Sequence, residues 1–297
     1  MGRASRFSHC CGAVIAALCL WVLVISPASA QTPGPQGPEQ GRHREQPWLI
    51  PTDDGSGRLM RSIVYRPRDD SPRRLVVINH GAPASGPATA PQPRFAAPAA
   101  WFVERGYVVV VPQRRGYGET GGRYNESYGN CDNADFVGAG REGARDIAAA
   151  VGFMRQRSFV RHDGVVIVGQ SAGGWATLAY ASLNPPGVAA LLNMAGGRGG
   201  WRNNTPNNNC SPQNLVRGAG EFGRTARVPT LWLYAENDSF FDPGLSRRMA
   251  EAYQQAGGVV EFRLLPAFGK DGHALFGAAD GAPVWSPPVA AFLGRIR

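Results

Sequence analysis

The chain has 297 residues, of which 43% are hydrophobic and 18% charged, with a formal net charge of +9. That is the composition of a globular chain, large enough for one sizeable core or two small ones, and it excludes a disordered one. The positive charge is nearly all arginine (Lys270 is the single lysine), scattered without interleaved aromatics, and no nucleic-acid-binding module is visible.

Arg3 and Arg6 precede an uncharged, largely apolar run from Gly12 to Ile25, and Ala28-Ser29-Ala30 then supplies a small-x-small pattern. The run is short for a membrane span, which needs about 20 apolar residues. Residues 1–30 are therefore expected to be a secretory signal cleaved after Ala30, placing the rest of the chain in the periplasm or outside the cell. An uncleaved anchor is the alternative. Losing Arg3 and Arg6 would lower the charge from +9 by two, to +7. Residues 31–57, with Pro33, Pro35, Pro38 and Pro47 among Gly, Gln and charges, read as a disordered leader. Residues 58–297 are expected to form one domain.

Alternation over Leu59 to Tyr65 predicts an antiparallel strand. Leu75 to Asn79 reads as a short buried strand, followed by His80-Gly81-Ala82-Pro83 and a Pro/Ala-rich loop. A helix is expected over Arg94 to Arg105 and a buried strand over Tyr107 to Val111. The glycine-rich loop Arg114 to Gly122 comes next, then an amphipathic helix over Gly140 to Arg157, with Ala144, Ile147, Ala148, Val151 and Met154 at helical spacing. Val165 to Val168 is a further strand, and Trp175 to Tyr180 has helical character. Strands are expected over Val188 to Met194, Pro229 to Ala235 and Val259 to Leu265. Helices are expected over Pro243 to Gln255 and Pro288 to Ile296. Arg198 to Arg227 reads as a loop too short for a large helical lid. Buried strands alternating with helices imply an α/β architecture, a mostly parallel sheet covered by helices on both faces.

The chemistry centres on Gly169-Gln170-Ser171-Ala172-Gly173, followed by Gly174, between a strand and a helix. A serine on so sharp a turn needs glycine-sized neighbours, and the turn lifts its hydroxyl clear of the sheet near a helix N-terminus. Serine is a poor nucleophile until a base takes its proton, and a carboxylate orients that base. Beyond residue 30 the histidines are His43, His80, His162 and His273. Only His273 follows the serine late, between the last strand and the last helix, so it is the candidate base. Asp238 and Asp242 both follow the strand ending near Ala235. Asp242 precedes Pro243 and suits an N-cap, which leaves Asp238 as the acid. Asp271 is too close to His273 and is read as loop structure. An acyl-transfer oxyanion needs two backbone donors. Ala172 is one, and because Pro83 has no N–H, Ala82 is the other. His80 is expected to support that loop. Cys131 and Cys210 both fall in loops after strand C-terminal ends, and in an oxidising compartment they are expected to be bridged. No metal-ligand spacing and no dinucleotide fingerprint is present.

With these residues in order, residues 58–297 resemble the α/β-hydrolases, and more narrowly the dienelactone hydrolase and prolyl-oligopeptidase-like branch. Arg115-Gly116-Tyr117-Gly118 and the Gly173-Gly174 continuation carry the narrower resemblance. It differs from the dienelactone hydrolases in having serine at the elbow, and from the oligopeptidases in lacking a propeller domain. The resemblance implies hydrolysis of an ester, or less readily an amide, without a cofactor. Arg198 and Tyr117 are expected to contact substrate, Arg198 through a substrate carboxylate. The expected partner is a small-molecule ester, with no nucleic acid and no membrane after signal cleavage. A peptidase removing short N-terminal units is the alternative; it needs carboxylates for a substrate ammonium, for which Glu126, Asp132 and Asp135 are the candidates. A non-catalytic binding protein is the third reading.

Overall fold

A computed structural model describes residues 1–2 and 31–296. The expected export signal therefore lies outside the described residues apart from its first two. Among the described residues, no helix is long and apolar enough to cross a membrane.

Nine strands form one sheet: β1 (Gly34–Pro35), β2 (Gln46–Pro51), β3 (Leu59–Tyr65), β4 (Leu75–Asn79), β5 (Val108–Pro112), β6 (Val165–Gln170), β7 (Val188–Met194), β8 (Thr230–Ala235) and β9 (Val260–Leu265). Their order across the sheet is β1-β2-β3-β5-β4-β6-β7-β8-β9. The pairs β1–β2, β2–β3 and β3–β5 are antiparallel, and every pair from β5–β4 to β8–β9 is parallel. Six helices accompany them: α1 (Ala96–Val103), α2 (Phe136–Met154), α3 (Ala172–Ala181), α4 (Pro212–Gly223), α5 (Pro243–Gln255) and α6 (Ala282–Leu293).

The period-two geometry of a strand divides these apolar runs between two cores. Val77, Val110, Ile167, Leu191 and Trp232 turn to the layer of α2, α3, α4 and α5. Ile78, Val111, Val168, Leu192 and Leu233 turn to α1 and α6. Both faces are covered, so the strands carry continuous Val/Ile/Leu runs rather than alternating ones. All ten residues of α3 are buried, which explains why its sequence shows no polar face.

Two sequence expectations need correction. Residues 31–57 are not a disordered leader. Pro35 ends β1, while Pro47 and Pro51 lie near the start and at the end of β2, the positions where strands tolerate proline best. Between Pro47 and Pro51, Trp48 and Ile50 are 4% and 0% exposed. The Trp48 indole packs edge-on to Phe153 and Phe159, with ring centroids 6.5 and 5.9 Å apart. Composition averaged over the segment concealed this apolar core. Likewise the Arg198 to Arg227 stretch is not all loop. It contains α4, whose Leu215, Ala219 and Phe222 recur at helical spacing and are buried. Its three glycines lower helix propensity, and the burial of that face overrides them.

If the N-terminal hairpin is part of the cooperative fold, Trp48→Ala should cost about 3–5 kcal/mol, the range for truncating a buried tryptophan. Urea unfolding of the chain from residue 31 onward measures this. An unchanged midpoint would show that β2 is dispensable.

Candidate active site

Ser171 sits between β6 and α3 with φ 54° and ψ −122°, a backbone conformation that residues with a side chain seldom adopt. The surroundings hold it there. Its N–H donates to the Met194 carbonyl at 3.1 Å, and its carbonyl accepts from Trp175 N at 3.0 Å and Gly197 N at 3.1 Å. The first turn of α3 presses against the end of β4. A Cβ on Gly173 would stand 2.5 Å from the His80 carbonyl oxygen and closer still to that of Asn79. Only glycine fits there, which is the physical content of the last glycine in the pentapeptide.

His273 comes from a short 3-10 turn, Gly272–Ala274, after β9. Its Nδ1 lies 3.1 Å from each oxygen of Asp238, leaving Nε2 as the ring nitrogen free of the carboxylate. Asp238 is 1% exposed and follows β8. Its Oδ1 also accepts the backbone N–H groups of Phe240 at 2.8 Å and Phe241 at 3.0 Å. Donors that hold one carboxylate oxygen fix the group's orientation. Ser171 and His273 line the same cavity. Among the described residues no hydrogen bond joins Ser171 Oγ to the ring, as is common before substrate tightens such a site.

Four residues that the sequence analysis did not assign to the site hold this loop. Gln170 Nε2 donates to the His273 carbonyl at 2.9 Å, tying elbow to base. Asn237 bridges the acid and base loops: its Nδ2 donates to Phe268 O at 3.1 Å, and its Oδ1 accepts Phe268 N at 2.8 Å. Phe240 stacks on the imidazole with centroids 4.1 Å apart. Asp271 accepts from His273 N at 2.9 Å and from the Ser239 hydroxyl at 2.6 Å. Burial raises the Asp271 carboxyl's pKa, yet these hydrogen bonds outweigh it and leave it below the ordinary value. The one sequence signal for any of these was position: Gln170 lies inside the pentapeptide, and Asn237 and Phe240 flank Asp238. Asp242 caps α5 through Gly244 N and Leu245 N, at 2.7 and 3.0 Å.

The two candidate oxyanion donors come from two elements. Ala172 opens α3 and offers its N–H at a helix N-terminus. Ala82 is exposed and lines the cavity beside Ser171. His80 controls the peptide between Gly81 and Ala82. Its Nε2 accepts Arg114 N at 3.2 Å, so Nδ1 carries the proton and donates to the Gly81 carbonyl at 2.7 Å. The peptide is trans, so the Ala82 N–H points away from that carbonyl. Burial, aided by the Arg114 charge, pushes the His80 pKa down to about 3 and keeps the ring neutral. Gly81 passes so close to the elbow that a Cβ would stand 2.9 Å from that of Ser171.

Arg198 and Tyr117, expected to contact substrate, do not line this cavity. Arg198 is 4% exposed, and its guanidinium pairs with Glu126, which also takes Arg114 Nε at 2.5 Å and the Tyr117 hydroxyl at 3.0 Å. Burial alone would raise the Glu126 pKa; the two guanidinium groups reverse that and hold it at about 2. A glycine-rich loop after a strand suggested an open site, but the unsatisfied charge of Glu126 draws Arg198 inward.

The cavity measures about 610 Å³. Its walls are largely apolar, with Pro83, Pro91, Pro93, Phe95 and Phe240; Arg94 and Gln170 also line it, and no carboxylate does. Asp132 instead pairs with Arg202 at 2.7 Å, and Asp135 caps α2 through Gly138 N at 2.8 Å. Cys131 and Cys210 are joined by a disulfide, with Cα atoms 4.6 Å apart, 79 positions apart in sequence. It ties the segment before α2 to the one before α4 and lies off the cavity wall. Closing so long a loop stabilises by roughly 4–5 kcal/mol in the chain-entropy account. Among the described residues no cluster of His, Cys, Asp and Glu could hold a metal.

Comparison with known proteins places this geometry in context. Residues 93–196 match the prolyl oligopeptidase family, a segment that includes Ser171 but ends before Asp238 and His273. Dipeptidyl aminopeptidase BIII of Pseudoxanthomonas mexicana is 28% identical over 188 residues, 63% of this chain and 22% of that protein. The chain thus spans about a fifth of the length of that curated relative. Among solved structures, a Paenibacillus acetyl xylan esterase superposes with TM-score 0.63 at 14% identity, covering 90% of each chain. Porphyromonas gingivalis dipeptidyl peptidase 4 gives 0.63 at 17% identity, over 86% of this chain and 36% of that one. An esterase of Pyrococcus furiosus gives 0.60 at 14%, over 86% and 93%. At these identities the structural likeness establishes the fold.

The buried neutral His80 predicts a pH effect. The unfolded ring protonates near 6.5 and the folded one only near 3. Between those values the unfolded chain binds more protons, so stability falls as pH drops through the window. His80→Gln removes this contribution. The decline in urea midpoint from pH 6.5 to 4 should be shallower in the variant than in wild type; parallel profiles would show that His80 is not the titrating group.

Proposed function

We propose, from the premise that this chain belongs to the α/β-hydrolase superfamily, that it is a serine hydrolase acting on carboxylic esters with apolar acyl or alcohol groups. The observation that carries the ester reading is the cavity beside Ser171, largely apolar-walled, with Arg94 at its wall and no carboxylate. Ser171 Oγ attacks the ester carbonyl carbon while His273 Nε2 takes its proton. Asp238 holds Nδ1–H and stabilises the imidazolium. The Ala172 and Ala82 N–H groups receive the charge that develops on the carbonyl oxygen, an effect worth about 3–4 kcal/mol per donor in such sites. Collapse breaks the ester C–O bond, and the imidazolium gives its proton to the leaving alkoxide. Water then repeats the cycle on the acyl-enzyme, with His273 again as base. None of these steps needs a cofactor.

The prolyl oligopeptidase match favours a second reading, cleavage of short peptides from a free N-terminus. A substrate ammonium in that reaction needs a carboxylate within a few ångströms. Glu126, Asp132 and Asp135 are each engaged elsewhere, so the ester is the better fit. Export is part of the same proposal: the N-terminal pattern and a disulfide both suit an oxidising compartment.

A nitrophenyl ester with an apolar acyl group should be turned over with kcat/KM at least about 100-fold above that of an aminoacyl-nitroanilide; the reverse order would overturn the ester reading. Ser171→Ala should abolish both turnover and labelling by a fluorophosphonate. Asp238→Asn, which removes the carboxylate charge and sets an amide N–H donor opposite Nδ1 so that the wrong tautomer is favoured, should lower kcat by about 10³–10⁴-fold. A folded wild-type protein that the probe leaves unlabelled would sink the serine mechanism altogether.

A further inference from the structure

Arginines that are scattered in sequence converge at the end of the sheet opposite Ser171. Arg73 and Arg74 precede β4, Arg105 precedes β5 and Arg161 precedes β6, three strands adjacent in the order β5-β4-β6. Backbone bonds hold the segments together: Arg73 N donates to Phe159 O at 3.0 Å, Arg161 N to Arg73 O at 2.8 Å and Val108 N to Arg74 O at 3.0 Å. The four side chains line one depression of about 270 Å³, with Pro72, Gly106 and Tyr107 completing it and no carboxylate in its wall. A parallel strand of five residues separates this depression from the elbow, a distance of roughly 17 Å at about 3.3 Å per residue.

We infer that this depression binds a phosphate-type dianion. Like charges so gathered repel one another and need a counter-charge. Two nearby carboxylates supply part of it: Asp69 holds Arg73 at 3.0 Å, and Asp163 holds Arg161 at 3.1 Å. Among the described residues Arg74 and Arg105 have no carboxylate partner. Four guanidinium groups against two carboxylates leave a formal excess of two, which a phosphate group with a charge of about −1.5 to −2 at neutral pH would balance. Three of the four are already oriented, which reduces the entropy lost on binding. Arg73 and Arg161 are held by their aspartates. The Arg105 guanidinium lies 3.8 Å from the centroid of the Trp101 ring, and its Nη1 donates to Trp101 O at 3.0 Å. Arg74 runs across Gly164, where a Cβ would stand 2.6 Å from its Nε, so that glycine leaves room for it. Arginine, with planar paired donors, suits a phosphate better than a single carboxylate. The group could be carried by a lipid or be free in solution, and the experiment separates these.

The test compares thermal unfolding of wild type and Arg74→Gln/Arg105→Gln in inorganic phosphate and in sodium chloride of equal ionic strength. Phosphate stabilises proteins non-specifically, but that rise is common to both. Wild type should show an additional, saturable rise of about 2–4 °C that the variant lacks. Arg74→Lys/Arg105→Lys should retain part of it. If the double variant does not fold, the Arg105→Gln and Arg161→Gln single variants, each altering an exposed side chain, should each lose part of the rise. Sedimentation with phosphatidylcholine vesicles, with and without phosphatidic acid, identifies the source. Wild type carried down only by phosphatidic acid, with the variant left in solution, points to a membrane-borne phosphate. A thermal response without vesicle binding points to a soluble one. Equal thermal responses in all variants, or no saturation, would overturn the site.

Discussion

The site depends on one close backbone approach. The peptide chain leaving β4 at Asn79, His80 and Gly81 lies against the first turn of α3, with nothing larger than glycine between them at Gly173. Strands β4 and β6 are neighbours in the sheet, with Asn79 opposite Gly169, so the two chain segments emerge side by side at the same height. That register delivers the Ser171 hydroxyl, the Ala172 N–H and the Ala82 peptide to one end of the cavity. A methyl group at Gly173 would force the two apart. The unusual φ of Ser171 is sustained by its backbone hydrogen bonds to Met194, Trp175 and Gly197, because a strained residue persists only where its surroundings over-determine it.

Beneath the loop after β4 lies a layer of charge. Arg114 Nη1 donates to the His80 carbonyl at 2.8 Å, and Glu126 joins Arg114 to Arg198. Burying such a cluster is costly on its own, and replacing ions by apolar groups often stabilises a protein. What the cluster supplies is a hydrogen-bonded floor that fixes His80, and through His80 the peptide carrying the Ala82 N–H. Tyr117 belongs to this floor too, with its ring 4.6 Å from that of His80.

The outline of the fold was legible because parallel strands buried on both faces leave continuous apolar runs, and β4 to β8 are such runs. The elbow was legible because steric crowding leaves a fixed pattern of small residues. Asp238 could be separated from Asp242 because Pro243 marks a helix start, and a residue just before a helix start has a capping role open to it. Segments whose apolar residues are few and flanked by prolines or glycines were not legible. Trp48-Leu49-Ile50 and the face of α4 are short apolar signals diluted by their neighbours, and their order comes from distant partners.

Local sequence thus pointed to Ser171, His273 and Asp238 as candidate nucleophile, base and acid, and to the strands before them, because small-residue spacing at a turn, helix-start signals and apolar runs are each read within a few residues. Tertiary structure decided where the charges go. Arg198 and Tyr117 sit in glycine-rich loops that read as site-lining, yet both are drawn inward by Glu126, a partner far away in sequence for Arg198. Arg73, Arg74, Arg105 and Arg161 read as scattered background, yet the strand order β5-β4-β6 brings them to one depression. Coulomb interactions depend on distance in space, and distance in space between residues remote in sequence is set by the order of strands in the sheet.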